Sequence, residues 1–166
     1  MSEITRIATT LKGSVPDKAI PWIVAQSAHE TGTSLGPWTS NVYKKNNNGF
    51  GMIQPRVRKT TSLGPGTTQP GSEGSNPYAR YTNLEDSTKD LVLWLKYNKI
   101  AWLNINSADQ YIAWIKKKGY FGATYENYLK GVLSWIKKLK LPSIFPAFAG
   151  GTILLIGIIA LVLLKK

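Results

Sequence analysis

Apolar positions recur with a helical period near the start of the chain and again after residue 83. They lose any period in between, and they run together at the end. Ile4, Ile7 and Leu11 predict a short helix over residues 3–12, with Ser2 placed to accept a first-turn N–H. Residues 13–17 form a turn. A second helix enters through Pro21, whose fixed φ suits a first turn, and is over by about residue 34. Gly32 marks its stop, by the left-handed geometry that ends many helices. From 35 to 83 Gly, Pro, Asn, Ser and Thr dominate. Residues 49–53 can make a short strand there, and 56–81 an irregular hairpin or long loop with turns at Gly64-Pro65-Gly66 and Pro70-Gly71-Ser72. A loop of that length inside a compact domain is usually functional.

Helix resumes at Asn83, a good cap, with Glu85 and Asp86 at the positive end of the helix dipole. Leu91, Leu95 and Ile100 lie broadly on one side and carry the prediction to about residue 103. Ser107 caps a further helix over 108–118, closed by Lys116-Lys117-Lys118-Gly119. Thr124 opens the next, 125–140, striped by Leu129, Val132, Leu133, Ile136 and Leu139. The polar faces place Asp90 and Glu126 on helix surfaces and Asp109 at a helix start. The fold predicted is mainly α, a helical domain over 1–140 with a small irregular β lobe at 35–83.

After a 141–143 linker, residues 144–164 contain no charged side chain. As a helix they reach roughly 30 Å, the thickness of a bilayer core. Gly150, Gly151 and Gly157 suit a membrane helix better than a soluble one, and a domain this small has nothing to surround a buried core helix of that length. The expectation is one transmembrane helix, with a lipid membrane as partner. With no basic-then-apolar leader at the N-terminus, it reads as a tail anchor or as a span in an assembled membrane particle.

Composition narrows the chemistry. The 166 residues include no cysteine, which excludes disulfides and thiolate chemistry, and His29 is the only histidine. No metal site or cofactor is expected, since a zinc site needs three or four ligands and His29-Glu30 lacks the second histidine of a zinc-protease helix. The net charge of +12 steers the protein toward polyanions such as nucleic acid, anionic lipid or cell-wall polymer. Nucleic acid is disfavoured, because the lysines sit at helix ends and beside the apolar segment, where caps and headgroups explain them.

Glu30 is the candidate acid. It lies in the last turn of the second helix, where the negative end of the dipole disfavours ionisation, and Trp22, Ile23 and Val24 add desolvation. A carboxyl kept protonated near neutral pH is what a general acid needs. On this helix alone, a glutamate facing water is the simpler reading.

Four motifs change that balance. Ala25-Gln26-Ser27-Ala28-His29-Glu30-Thr31-Gly32 is followed by Asn47-Asn48-Gly49-Phe50-Gly51-Met52, then by Tyr78-Ala79-Arg80-Tyr81 ahead of Leu84-Glu85-Asp86-Ser87, and finally by Gly119-Tyr120-Phe121-Gly122-Ala123-Thr124 with Tyr128. In this order, over residues 15–138, the chain resembles glycoside hydrolase family 73, the N-acetylglucosaminidases of the lysozyme-like superfamily. The resemblance implies an α+β lysozyme-like fold and cleavage of β-1,4 bonds in peptidoglycan. It implies Glu30 as general acid, Glu73 as a second carboxylate in the lobe, and Tyr120 beside the reacting acetamido sugar. Asn48, Phe50, Gly51, Tyr81 and Tyr128 become the expected substrate-binding set. With the apolar tail, the expected setting is a single-pass membrane protein of a virion membrane, used with other virion proteins in phage entry or lysis, or alternatively of a bacterial inner membrane. A lytic transglycosylase using Glu30 alone and a non-catalytic wall-binding or structural protein on the same fold are the competing readings.

Overall fold

The computed structural model describes residues 1–67 and 77–141. Glu73 and the apolar segment 144–164 lie outside these residues, and with them the expected second carboxylate and transmembrane helix. Among the described residues no helix is long and apolar enough to cross a membrane.

Six α-helices and one two-stranded antiparallel sheet make up the described architecture. Helix α1 spans Glu3–Leu11 and α2 Ile20–Thr31, entered through a 3-10 turn at Asp17–Ala19. A short α3 covers Asn41–Asn46, and β1 (Gly64–Pro65) pairs with β2 (Ala79–Arg80) in the register Gly64↔Arg80 and Pro65↔Ala79. The C-terminal half holds α4 (Leu84–Tyr97), α5 (Ala108–Lys117) and α6 (Tyr125–Lys138). The predicted combination of a helical domain with a small irregular β element is therefore present.

Helix α2 runs through the middle of the core, with ten of its twelve residues buried. An apolar run without a polar face can only be satisfied by partners all round. Helix α1 supplies one wall through Ile7 and Leu11 and packs against α4, which brings Leu91 and Leu95 to the same core; Tyr111 of α5 meets Trp22 and Gln26, and α6 closes the bundle with Tyr128 and Val132. Side-chain caps at Ser2, Asn83, Ser107 and Thr124 each accept the N–H three residues on, contacts worth about 1 kcal/mol apiece.

Five expectations are corrected. Gly32 ends α2 in extended backbone (φ −76°, ψ 149°), not in left-handed geometry. What requires glycine there is space, because a Cβ would lie 2.6 Å from the Ala28 carbonyl and 3.0 Å from the Trp135 ring. Residues 49–53 form no strand, and only Ile53 bridges to Tyr78. Gly64-Pro65, expected as a turn, is strand β1. Helix α4 stops at Tyr97 rather than near 103. Lys99 adopts left-handed φ of 58°, the Ile100 N–H turns back to the Leu95 carbonyl (3.1 Å), and Trp102–Asn104 is a separate 3-10 turn. Asp90 is not on a helix surface. It is fully buried, paired with the Arg58 guanidinium at 2.7 and 2.8 Å and accepting the Tyr81 hydroxyl at 2.7 Å.

Candidate active site

Glu30 occupies the last turn of α2, on the side that faces α6. Tyr128, in the first turns of α6, donates its hydroxyl to Glu30 Oε1. The Tyr128 ring lies between Phe121, stacked at 3.7 Å, and His29, edge-on at 4.7 Å, so the donor has little freedom to turn away. The helices approach closely at this point because Gly131 has no side chain. A Cβ on Gly131 would fall inside contact distance of the His29 ring. His29 is half-buried, and that burial lowers its pKa, favouring the neutral ring.

Burial raises the Glu30 pKa to about 7, and the Tyr128 hydrogen bond works against that rise. The carboxyl therefore keeps a proton over much of the neutral range, although it retains some access to solvent. Tyr120 and Tyr128 sit close enough to feel its charge. Burial first, and then Glu30, holds both phenols far above their ordinary range, so both stay as O–H donors. Tyr78 and the buried Tyr111 are raised in the same way and for the same two reasons.

The opposite wall is the segment carrying the Asn-Asn-Gly-Phe-Gly motif. Asn48 is wholly buried and organises it. Its Nδ2 donates to the carbonyls of Met52 (2.8 Å) and Ala79 (2.9 Å), while its Oδ1 accepts from the N–H groups of Phe50 (3.3 Å) and Met52 (3.0 Å). Gly49 is clamped by two serines. Its carbonyl accepts from Ser27 Oγ (2.6 Å) and its N–H donates to Ser87 Oγ (3.2 Å). Trp38 Nε1 donates to the same Ser27 oxygen at 2.9 Å. These bonds hold Gly51 at φ +59°, where a Cβ would lie 3.0 Å from Glu30 Oε2. Glycine is needed here on both counts.

The structure brings Glu30, Gly51, Tyr120 and Tyr128 together. It treats the other expected substrate-binding residues differently. The side chains of Asn48, Phe50 and Tyr81 are buried and offer no surface to a ligand. Phe50 contributes its carbonyl, which accepts the Tyr120 hydroxyl at 2.6 Å, and Tyr81 contributes the buried bond to Asp90. Glu73 is outside the described residues. Ser27 and Ser87 stood in the motifs without a role, and Trp38 and Gly131 were not expected at the site, although Gly131 has a signal as a lone glycine inside an otherwise amphipathic helix.

An open cleft of about 230 Å³ starts at Gly51 and Tyr120, lined further by Gln54, Arg58 and Trp94. Among the described residues no group of three or more acids or histidines is arranged to hold a metal ion. A carboxyl about half protonated near pH 7, held by a phenol and set against Gly51 of the cleft wall, has what acid-assisted cleavage of a glycosidic bond demands. Residues 18–141 match the glucosaminidase family, described as mannosyl-glycoprotein endo-beta-N-acetylglucosaminidase, and the chain belongs to that family. It is thus a glycoside hydrolase of the endo-β-N-acetylglucosaminidase type, and the family supports peptidoglycan as its substrate. No curated protein and no solved structure is significantly similar to it.

Proposed function

We propose that the protein cleaves β-1,4 glycosidic bonds of peptidoglycan with Glu30 as the general acid. The supporting observation is the Glu30 carboxyl itself, its pKa raised to about 7 by burial, held by Tyr128 and facing Gly51, which lines the cleft. Glu30 gives its proton to the glycosidic oxygen as the bond to the anomeric carbon breaks, and positive charge develops on the sugar. That charge needs a partner on the other face. Of the nine acids in the chain, Glu85, Asp86 and Asp90 are paired with Arg6, Lys89 and Arg58, and Asp109 accepts the Tyr125 hydroxyl. Glu3, Asp17 and Glu126 stand in first helical turns. Glu73 is left as the candidate carboxylate, with the substrate's own acetamido oxygen as the alternative that needs none. A lytic transglycosylase, in which the substrate's own hydroxyl closes an anhydro ring, uses the same single acid.

Residues 144–164 are proposed as a single membrane span that keeps the glycosidase beside the wall. The setting that follows is a virion membrane protein of a phage, acting in entry or lysis with other virion proteins, or else a bacterial inner-membrane protein. Digestion of purified peptidoglycan with the full chain, and with Glu30→Gln and Glu73→Gln variants, followed by mass spectrometry of the ends, tests the chemistry. A glucosamine reducing end lost with Glu30→Gln is expected. An anhydro end moves the reaction to transglycosylation, and undiminished cutting by Glu30→Gln overturns the assignment.

A further inference from the structure

The surface where the C-terminal ends of α2 and α6 meet takes no part in the proton-donor chemistry. Gly32 closes α2 against the Trp135 ring of α6. The chain then folds into a tight turn, Thr33 and Gly36 exchanging two backbone hydrogen bonds of 2.9 and 3.0 Å. Leu35 stands at the tip, 82 % exposed, its N–H donating to Thr33 Oγ1 at 3.1 Å. On α6, Trp135 is half-buried and the Lys138 ammonium lies over its ring, 4.8 Å from the centroid. Leu133 is exposed one turn before Lys137, and Lys137, Lys138 and Lys140 are all exposed. No aspartate or glutamate occurs in residues 31–72 or 127–166, so neither segment offsets these lysines. Glu30, just before the turn, is directed at Tyr128 and Gly51.

Exposed leucines, an indole at the rim and lysines without acids together match a bilayer interface, where rings sit at headgroup level and ammonium groups meet anionic lipid. A polyanion in water would use the lysines and leave the leucines idle. The path of the chain points the same way. From Leu141, the last described residue, residue 144 lies within about 10 Å even at full extension, and there the uncharged segment 144–164 begins. We infer that Leu35, Trp135 and the lysines closing α6 form a docking face for an anionic lipid surface, which holds the domain with the C-terminal end of α2 against the bilayer. The choice of lipid as occupant rests on the proposed span at 144–164.

The chain has no cysteine, so Leu35→Cys places a single NBD fluorophore on the turn. The labelled full chain is reconstituted into vesicles of phosphatidylglycerol and phosphatidylcholine in equal parts, carrying a headgroup-spin-labelled lipid. Quenching of the label is expected there and its loss in phosphatidylcholine alone. Leu103→Cys gives the reference position. Leu103 is 93 % exposed toward the other end of α2, since its neighbour Trp102 stacks on Tyr111 and Tyr111 meets Trp22. Its label is expected to stay unquenched. Equal quenching at both positions overturns a preferred face, and equal quenching at position 35 in both lipids overturns its anionic character. Combining Lys137→Gln, Lys138→Gln and Lys140→Gln is expected to abolish quenching at position 35, and persistence overturns the role of the lysines. If that variant does not fold, quenching in the labelled parent must fall in about 1 M salt, where the screening length is about 3 Å. Alkaline extraction separates the face from the span. An unquenched label on a chain that the bilayer retains overturns the face and spares the span, and a quenched label on a chain that is stripped does the reverse.

Discussion

The Tyr128 hydroxyl reaches Glu30 across 98 residues of sequence, and this one bond joins the central helix to α6 at the candidate proton donor. It also opposes the burial that raises the acid's pKa.

Removing that donor has a defined sign. In Tyr128→Phe the carboxylate loses the bond that favours its charged form, so the Glu30 pKa moves further above about 7. The alkaline limb of kcat/KM, where the acid gives up its proton, is expected at higher pH than in the parent. A limb that stays put or moves down would separate Tyr128 from the acid.

Glu30 should also make the fold weaker as pH rises. Its folded pKa of about 7 exceeds the ordinary 4.5, so between those values the folded protein binds more protons than the unfolded chain. Stability is then greatest below about pH 4.5 as far as this group is concerned, and falls until about pH 7. The full difference approaches roughly 3 kcal/mol, and partial solvent access reduces it. Glu30→Gln, which keeps an acceptor for Tyr128, is expected to denature at higher urea than the parent at pH 8, with the gap narrowing toward pH 4.5. Identical midpoints at both pH values would contradict the raised pKa.

Gly131→Ala sets two effects against each other. Alanine is the better helix former by about 1 kcal/mol, but its methyl enters the His29 ring, and overpacking of this kind costs roughly 1–3 kcal/mol. Net destabilisation is expected, with loss of activity as His29 pushes on the Tyr128 ring. Adding His29→Ala should recover part of the stability, and additive losses in the double mutant would show that the two residues do not meet.

Asp90→Asn leaves the Arg58 charge without its partner at an almost fully buried position. The expected loss is about 3–5 kcal/mol, read as a lower thermal midpoint, because removing one member of a buried pair strands the other. A midpoint within a degree of the parent would mean that the pair is not formed in solution.

How much of this was readable from the residues depended on how far each interaction reaches. The helices were legible because Ser2, Asn83, Ser107 and Thr124 announce their own starts through bonds three residues long. Helix α3 was not, since its six residues carry no apolar stripe and only the Ser40 cap marks it. Asp90 looked like any helix acid because Arg58 lies 32 residues away in a stretch without period. Phe50 and Asn48 stood out through their motif, but the motif alone does not tell a buried organiser from a surface that touches ligand. Glu30 was a candidate by its helix position and became the expected acid only through the motifs around it, while the contact with Tyr128 came only with α6 packed against α2.

The scattered origin of the site also governs when it exists during synthesis. Glu30 emerges early, Gly51 some twenty residues later, and Tyr120 and Tyr128 only after α5 is complete. A nascent chain out of the ribosome as far as residue 118 holds the acid without either phenol and without the helix that desolvates it. On the proposed role of Glu30, activity waits until α6 docks, because before then the acid has neither its phenol nor its burial.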